Sequence, residues 1–569
     1  MSDNYTNKMQ NKLSLLTVLI IVFLSSGAQK PNIIFILTDD QGWADITCHG
    51  NPDIETPTLD RLAEKSVEFT NFYVSPLCSP TRASLMSGQY SYRTDVVSTG
   101  QGLSSINPEI NTWAERLKKE GYTNGLFGKW HLGDTYPHRA QDQGFDEVLT
   151  HISGNLQAYP PFNPYLNPVL IHNGVEERHS GYCMDIFTNK AIEFIQKNKQ
   201  KSFFVYLPTN TPHRPLEITD EYLEKYKAKG LKDQTARVYA MIENIDDNVS
   251  RLEKALEKEG LTYNTIFIYM SDNGPTSLED DRFLANYRGK KTFVYEGGIK
   301  GLCFIKYPSK FKGERKLENV CAHIDVLPTI LDLCEVSYNK DDFDGISLSP
   351  LLLNTSNSLP ERYLFWQSHN GMPQQGRAFA VRKDDYKLVQ QNKINGSFDA
   401  AKNSEFELFN IKNDPYEINN LIDEMPEVVD DLKNTYKEWF KNVSSGMDDL
   451  PYPILLNPEI QNPLVLTRRD WLGTRGIHDD EVGYWNIKVP KTYNYTLEVG
   501  IRRLLTENAK IKIECGDQIW QVNLRKNQRV NNISKITIPQ GVHKITGKVY
   551  IENELYGGVH YFKLTKLND

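Results

Sequence analysis

Residues 32–40 have the sequence NIIFILTDD, in which a short apolar run is followed at once by two aspartates. Two later runs have the same form, FFVYL at 203–207 and TIFIYM at 265–270, and each leads directly into polar residues. Short apolar runs of this kind are typical of strands that are buried on both faces of a parallel sheet. Ligands of open parallel sheets bind outside the carboxyl ends of the strands, so the polar residues after these runs form the candidate site.

Helices are predicted between these runs. The clearest covers 233–260, where apolar residues recur at spacings of three and four, and Thr112 with Glu115 predicts a capping box for another at 113–120. Strands that alternate with amphipathic helices indicate an α/β fold, with a large mixed, mostly parallel sheet sandwiched by helices.

The chain after Leu353 has a different pattern. Strands predicted at 386–390 and 406–411 and a helix at 425–440 indicate a small α+β C-terminal subdomain, which a proline-rich link at 448–463 follows. Beyond the link, short alternating runs indicate an extra β-sandwich-like module. We therefore predict four segments: a signal peptide (1–28), an α/β catalytic domain (29–355), the C-terminal subdomain (356–450) and the β-sandwich-like module (464–569).

The first thirty residues have the pattern of an export signal. Lys8 and Lys12 precede the apolar run 13–24, and the small residues 26–28 follow it. The run is shorter than the roughly 20 residues that span a bilayer, so an uncleaved anchor is the weaker interpretation. We expect an exported protein without stable membrane association, in the periplasm or alternatively in the medium.

The composition is that of an ordinary globular protein. Of 569 residues, 39% are hydrophobic and 24% charged, which excludes fibrous and wholly disordered classes. The formal net charge of −8 lacks the basic excess of nucleic-acid-binding proteins, so we expect no nucleic acid partner. The seven cysteines show neither a disulfide framework nor zinc-ligand spacing, and their odd number leaves at least one thiol unpaired within the chain.

One cysteine, Cys78, stands at the start of a predicted helix in the segment CSPTRASLMSG, residues 78–88. Ser79 is the predicted N-cap and Pro80 the first helical residue. The N–H groups and dipole of a helix N-terminus favour an anion, and Arg82 adds a fixed charge one turn further on. The segment alone also fits a buried structural cysteine before a capped helix.

Oxygen-bearing side chains follow two of the buried runs. Asp39 and Asp40 come after the first, and Asp272 and Asn273 come after the third. If the two strands are neighbours, these oxygens converge into a site that suits Ca²⁺ or Mg²⁺ rather than zinc. Either pair taken separately also fits a helix cap.

The cysteine segment resembles the signature Cys-x-Pro-x-Arg of the formylglycine-dependent (type I) sulfatases of the alkaline phosphatase superfamily. Further motifs occur in the order of that family: ILTDDQG at 36–42, GKWHLG at 128–133, TPH at 211–213, SDNG at 271–274 and YEGG at 295–298. The resemblance covers roughly residues 31–425, and the ordered set is much more specific than any single motif.

The resemblance implies two cofactor properties. Cys78 is oxidised to formylglycine (3-oxoalanine) by a formylglycine-generating maturation enzyme, and one Ca²⁺ is bound. The implied metal ligands are Asp39, Asp40, residue 78 in its oxidised form, Asp272 and Asn273.

The resemblance also implies catalytic roles for a set of cations. Arg82 and Lys129 stabilise the sulfate, His131 hydrogen-bonds the formylglycine hydrate, and His213 approaches the sulfate and the leaving oxygen. Lys291 lies five residues before the glutamate of YEGG and is the implied catalytic lysine, although Lys290 is adjacent. In GKWHLG, an extended segment would also direct Lys129 and His131 to one side.

Together these features predict an exported sulfatase that hydrolyses sulfate esters of a sulfated carbohydrate, such as ulvan, carrageenan or a glycosaminoglycan. Two alternatives remain open. One is a phosphonate monoester or phosphodiester hydrolase of the same superfamily, and the other is a non-catalytic protein that binds sulfated glycans because Cys78 is unmodified. Tryptophans 471, 485 and 520 of the last module fit a packed core better than a sugar-binding platform.

Overall fold

The computed structural model describes residues 30–567 apart from 277–280, 369–370, 394–397, 399–401, 403–404, 475 and 477. The predicted signal peptide therefore lies outside the described residues. Within them, no helix has both the length and the apolar character needed to cross a membrane.

A ten-stranded mixed sheet forms the centre of the catalytic part of the chain. Its strands are β1 (Asn32–Thr38), β2 (Val67–Phe69), β4 (Thr123–Gly128), β5 (Glu147–Thr150), β6 (Val169–His172), β7 (Val175–Arg178), β8 (Phe203–Pro208), β9 (Thr265–Ser271), β10 (Cys303–Lys306) and β11 (Arg315–Leu317). Their order is β11-β2-β10-β9-β1-β8-β4-β5-β6-β7, and β3 (Phe72–Tyr73) pairs separately with β12 (Cys321–Ala322). β1 lies between β8 and β9, parallel to both, so the three runs predicted as strands are adjacent.

Helices cover both faces of this sheet. They are α1 (Pro57–Glu64), α2 (Cys78–Ser87), α3 (Trp113–Lys119), α4 (Cys183–Asn198), α5 (Asp220–Ala228), α6 (Asp233–Lys258), α7 (Glu296–Ile299), α8 (Val326–Leu333) and α9 (Ser349–Leu352). Alternate residues of β1 enter different cores: Ile33 and Phe35 pack with α3 and α8, whereas Ile34 and Ile36 pack with α4 and α6. Burial on both faces explains why the strand is continuously apolar.

The rest of the chain forms two smaller units. Strands β13 (Tyr363–Gln367), β14 (Arg377–Lys383), β15 (Tyr386–Lys393) and β16 (Glu407–Asn410) make an antiparallel sheet that packs against α10 (Pro426–Val443). The C-terminal strands are β17 (Ile454–Leu455), β18 (Leu464–Thr467), β19 (Trp485–Val489), β20 (Tyr493–Gly500), β21 (Ala509–Cys515), β22 (Gln518–Leu524), β23 (Val530–Ile538), β24 (Gly541–Ile551), β25 (Glu554–Gly558) and β26 (Tyr561–Lys566).

The C-terminal strands form two sheets, β17-β19-β24-β21-β22 with β25 beside β24, and β18-β26-β20-β23. The core of this module includes the fully buried Trp471 and Trp485, and Trp520 packs against it. These side chains therefore belong to the core, as their pattern predicts. The predicted fold class, a mostly parallel helix-covered sheet with additional C-terminal β structure, is confirmed.

Candidate active site

Two strand ends bring the four oxygen-bearing side chains together. β1 and β9 pair in register up to Thr38 opposite Ser271, so the residues that follow each strand are neighbours. The backbone N–H of Asp40 donates to Asp272 Oδ1 at 3.1 Å, and Asn273 Nδ2 donates to Asp40 Oδ1 at 2.8 Å. Asp40 has a left-handed backbone (φ 66°), which turns the chain immediately after the strand.

This cluster has the donor set of a hard-cation site. Ligand atoms of Asp39, Cys78 and Asp272 lie within 4.8 Å of one another, and so do those of Asp39, Asp40 and His213. Asp39 Oδ1 and Asn273 Oδ1 are buried and accept no hydrogen bond from the described residues. Buried polar oxygens without partners are costly, and a cation with oxygen ligands satisfies them, so the residues present fit Ca²⁺ or Mg²⁺.

Cys78 occupies the first position of α2. The N-cap is Leu77, in an extended conformation, and Thr81 N donates to Leu77 O at 3.2 Å to close the first turn. The prediction of Ser79 as N-cap is therefore wrong, and its hydroxyl makes no hydrogen bond to the described residues. Pro80 is tolerated because N–H groups of the first turn have no partner within the helix. Cys78 consequently lies among the free N–H groups at the positive end of α2.

Two buried cations of the site, Arg82 and Lys129, are each paired with a carboxylate. Arg82 Nη2 is 2.7 Å from Asp272 Oδ2, and Lys129 Nζ is 2.7 Å from Asp39 Oδ2. Arg82 Nη1 also donates to Lys129 O at 3.0 Å. Burial would raise the pKa of Asp39, but nearby cations, with Lys129 the strongest, hold it well below its usual value. At Asp272 burial and the charge of Asp39 prevail, and its pKa rises to about 7.

The glycine before Lys129 explains how that lysine is placed. Gly128 ends β4 with φ 137°, and a Cβ there would lie 1.9 Å from Pro208 O. Lys129 N then donates to this same carbonyl at 2.7 Å. Only glycine permits the ends of the two strands to come this close. The close approach positions Lys129 to pair with Asp39.

His131 contacts the cysteine directly. Its Nδ1 is 3.4 Å from Cys78 Sγ, and its Nε2 is 3.4 Å from Thr99 O. Because His131 has a left-handed backbone (φ 58°), the expectation of an extended segment is wrong, yet both His131 and Lys129 reach the site. Burial, then the charges of Lys129 and Arg469, lower the pKa of His131 well below its ordinary value, so the imidazole is neutral.

His213 and Lys291 lie at the more open side of the site. Lys291 Nζ is 2.6 Å from Asp40 Oδ1, and His213 Nε2 is 3.8 Å from Asp40 Oδ2. The side chain of Lys291 is 15% exposed and that of His213 is 21% exposed, whereas Arg82 and Lys129 are fully buried. Burial opposes the charge of Lys291, but Asp40 and its neighbours more than offset this and raise its pKa. The geometry thus favours Lys291 over Lys290 as the lysine of the site.

All the residues predicted from the motifs therefore converge, and at least one supporting residue was missed. Arg282 pairs with Asp45, and its Nη2 donates to Asp40 O at 3.2 Å, which supports the turn that carries the carboxylate. Arg282 lies in no recognisable motif, so only its contact with Asp40 in the folded structure identifies it as a residue that supports the site.

The fold is that of alkaline-phosphatase-like hydrolases. Within that class the chain belongs to the sulfatase family, because the sulfatase family model matches residues 31–336 and the model for the C-terminal part of N-sulphoglucosamine sulphohydrolase matches 288–442. The protein is a sulfuric ester hydrolase, and sulfatases in general depend on formylglycine and a bound metal.

Several relatives support this assignment. An N-acetylglucosamine-6-O-sulfatase of Bacteroides thetaiotaomicron is 25% identical over 77% of this chain and 93% of its own length. Human arylsulfatase A is 30% identical over 65% and 77% of the two chains. The crystal structure of Ps i-CgsB in complex with k-i-k-neocarrahexaose has a TM-score of 0.64 and 26% identity, covering 74% of this chain and 98% of that one.

The alternative of a phosphonate monoester hydrolase shares the fold alone. The phosphonate monoester hydrolase of Agrobacterium radiobacter has a TM-score of 0.51 and 16% identity. The family models and the named relatives place this chain with the sulfatases instead.

Proposed function

We propose that this protein is an exported, formylglycine- and Ca²⁺-dependent sulfatase that removes sulfate from a sulfated carbohydrate. One observation carries the proposal: Cys78, at the positive end of α2, has its sulfur 3.4 Å from His131 and within reach of the carboxylates of Asp39 and Asp272. A nucleophile, an anion-stabilising helix end and a hard-cation site therefore coincide. We also keep the predicted division into signal peptide, catalytic domain, C-terminal subdomain and β-sandwich-like module as part of the proposal.

The chemistry comes from residue 78 together with the metal. As formylglycine, residue 78 would supply an aldehyde hydrate: one hydroxyl would be the nucleophile that takes the sulfo group while the S–O bond of the ester breaks and the alcohol leaves, and loss of the proton of the second hydroxyl would restore the aldehyde and expel sulfate. Ca²⁺ would be held by Asp39, Asp40, Asp272, Asn273 and an oxygen of residue 78, and it would supply positive charge that stabilises the negative charge of the sulfate group.

The remaining residues bind the sulfate and move protons. Arg82 and Lys129 are fixed by their carboxylate partners and stabilise charge on the sulfonyl oxygens without reorganising. His131, neutral and 3.4 Å from the residue 78 side chain, accepts a proton there. In this proposal Lys291 and His213, which lie on the open side beside Asp40, protonate the leaving alcohol oxygen.

The substrate class rests on the relatives. The Bacteroides relative is named as an N-acetylglucosamine-6-O-sulfatase, and Ps i-CgsB was crystallised with a neocarrahexaose. Both names point to sulfated sugars, so glycosaminoglycans and carrageenans are the first substrates to test, with ulvan next. Export is supported by the N-terminal pattern of Lys8, Lys12 and the apolar run 13–24.

The proposal is tested by mass spectrometry of the tryptic peptide 66–82 from protein made with a formylglycine-generating enzyme. We expect an aldehyde at Cys78, together with turnover of sulfated oligosaccharides. Protein made without the maturation enzyme serves as the control and should hold a thiol and show no turnover. A thiol in protein from the native host would contradict the formylglycine mechanism and favour a non-catalytic glycan-binding protein. Turnover by the thiol form would also contradict the formylglycine mechanism.

Removal of divalent cations is expected to lower the thermal unfolding midpoint, and Ca²⁺ should restore it more effectively than Mg²⁺. A ligand that binds only the folded state stabilises it by about 2.7 kcal/mol at 100 times its dissociation constant. The measurement is calorimetry of protein treated with EDTA and then supplied with either ion. Asp39→Asn should lose the response, whereas Asp341→Asn, which alters an exposed aspartate, should keep it. A midpoint that ignores Ca²⁺ in the wild type would refute the metal site.

A further inference from the structure

A groove of about 1410 Å³ lies at the end of the central sheet opposite the active site. Lys306, the last residue of β10, lines this groove and pairs with Phe267, near the start of β9. The active-site carboxylate Asp272 directly follows the other end of β9, whose seven residues span roughly 20 Å. The groove is therefore separate from the site around Cys78.

The groove is positively charged although the whole chain is acidic. Seven cations and three carboxylates line it, whereas the formal net charge of the chain is −8. Two of the cations are neutralised, because Lys306 pairs with Glu253 and Lys310 pairs with Glu335. The other five form no ion pair with any described carboxylate: Arg61, Lys65, Lys254, Lys312 and Arg315.

These five cations outnumber the unpaired carboxylates of the groove, which are Glu257 and Glu314. They come from three parts of the chain that are distant in sequence: α1 with the residue after it, α6, and the segment 308–315. A Cβ on Gly313 would lie 2.1 Å from Lys65 O, so this segment packs directly on the residue that follows α1. A cleft lined by charges of one sign focuses their field and attracts ligands of the opposite sign.

Arg315 is held in a fixed position at one side of the groove. Its Nη1 donates to Leu351 O and to Asn354 Oδ1, both at 3.1 Å, and its Nη2 donates to Leu352 O. Burial lowers the pKa of this guanidinium, because no carboxylate offsets the loss of solvent. Three of its five N–H groups are occupied, which leaves two for an anion. Because the guanidinium is already ordered, little entropy is lost when it binds a sulfate group.

The size and lining of the groove favour a polysaccharide over other anions. Sites for small ligands measure about 300–1,000 Å³, so the groove is larger than a single small anion requires. Leu353, which is 40% exposed, and the partly buried Phe311 line it beside the cations and offer apolar surface to the faces of sugar rings. A bilayer is flat on this scale and does not reach the floor of a groove.

We propose that this groove is a second, non-catalytic binding site for a sulfated polysaccharide chain, which it holds on the enzyme while sulfate esters of the chain reach Cys78. The inference rests on the proposed function, because it assumes a sulfated carbohydrate substrate. A chain bound at a second point has a raised effective concentration at the active site, and two linked sites can exceed the affinity of either one by about 10²–10⁴-fold. A sulfated monosaccharide is too short to use both sites.

The first test measures binding of fluorescently labelled dextran sulfate, with uncharged dextran as its neutral counterpart, to protein that holds a thiol at residue 78. Three exposed lysines of the groove are reversed together in the variant Lys65→Glu/Lys254→Glu/Lys312→Glu. We expect the dissociation constant of dextran sulfate to rise about tenfold, a change of about 1.4 kcal/mol. Replacement of the same lysines by glutamine should have an intermediate effect, and dextran should not bind. Salt of about 0.1 M screens charges more than about 10 Å apart, so the active site is not affected.

The matched control is Lys412→Glu/Lys488→Glu/Lys535→Glu, which changes the net charge equally at exposed lysines outside the groove. It should alter the dissociation constant less than twofold, and both triple variants should keep the unfolding midpoint of the wild type. Equal weakening in the two variants, no binding of dextran sulfate by the wild type, or equal binding of dextran would overturn the inference. Sedimentation of the wild type with phosphatidylglycerol vesicles but not with dextran sulfate would assign the groove to a membrane instead.

The second test uses protein with formylglycine at residue 78. Reversal of the three groove lysines should raise KM for a sulfated polymer that the wild type hydrolyses, whereas KM for 4-nitrophenyl sulfate should change less than twofold. Equal changes in both KM values, or hydrolysis of sulfated monosaccharides without hydrolysis of any sulfated polymer, would overturn the inference. Absence of any sulfate ester hydrolysis by the wild type would instead refute the proposed function, which the binding measurement on the thiol form does not test.

Discussion

Cys78→Ala is expected to abolish sulfate ester hydrolysis, with a loss of at least ~10⁴-fold in kcat, comparable to removing the nucleophile of other covalent enzymes. Alanine cannot be oxidised to an aldehyde, so the hydrate that attacks sulfur cannot form. The residues that stabilise charge keep their partners, because Arg82 and Lys129 are held by Asp272 and Asp39 rather than by Cys78. The measurement is steady-state turnover of a sulfated oligosaccharide alongside the unfolding midpoint, which should hardly change.

Cys303→Ala provides the matched control for this variant. Cys303 is as deeply buried as Cys78, lies in β10 opposite Met270 of β9, and is a free thiol like the others. Its loss should reduce stability through a small cavity and leave kcat unchanged. Hydrolysis by Cys78→Ala above background would remove residue 78 from the mechanism.

Cys78→Ser separates attack from release. A serine hydroxyl at this position is still beside His131 and can attack sulfur, but it lacks the second hydroxyl that expels sulfate. We expect at most one turnover per molecule, detected as a sulfated serine by mass spectrometry. Multiple turnovers would show that the geminal hydroxyls are unnecessary.

Much of this site could be predicted from the sequence because its residues follow strand ends. Asp39 with Asp40 and Asp272 with Asn273 end buried apolar runs, and the carboxyl ends of parallel strands meet at one edge. The pattern of apolar residues does not predict the order of the ten strands in the sheet, however, and so it does not predict that β1 and β9 are direct neighbours. The resemblance to the sulfatases supplied that missing step.

What could not be predicted depends on distance through space. Arg282 lies in a segment without a motif, and its hydrogen bond to Asp40 O follows from the path of the loop that carries it. The helix start was predicted two residues too late, with Ser79 instead of Leu77 as the N-cap, because the prediction followed the preferences of serine for the N-cap and of proline for the first helical position. Local propensity specifies that a helix begins there, but the packing around it selects the residue.

Lys387→Met is expected to destabilise the protein by about 3–5 kcal/mol, the range for removing one partner of a buried ion pair. Lys387 lies in β15, is fully buried, and its Nζ is 2.9 Å from both Glu296 Oε1 and Glu417 Oε1. Glu296 begins α7 in the catalytic domain, so this lysine joins that domain to the C-terminal subdomain. Methionine fills a similar volume but leaves two buried carboxylates without their shared cation.

The two glutamates would respond differently to this loss. Burial opposes the charge of Glu296, but the charges of Lys387, Lys300 and Arg382 outweigh it and lower the pKa of Glu296. In the variant, Lys300 and Arg382 would remain beside this carboxylate. Burial and the charge of Glu296 already raise the pKa of Glu417 to about 7, despite Lys387. Without the lysine, Glu417 takes up a proton at neutral pH, which limits the loss of stability to the low end of the range.

Calorimetry provides the measurement, and a fall of ~3 °C in the unfolding midpoint is expected for a loss at the low end of this range, because the entropy of unfolding of so long a chain is large. Lys412→Met is the matched control, because Lys412 belongs to the same subdomain and is 72% exposed at 3.9 Å from Asp385; it should leave the midpoint unchanged. Adding Glu417→Gln to Lys387→Met should recover part of the loss, because glutamine is neutral without the cost of taking up a proton on folding. If Lys387→Met and Lys412→Met unfold at the same temperature, the buried network does not hold the two parts together, and apolar packing between α7 and the C-terminal sheet must carry that contact instead.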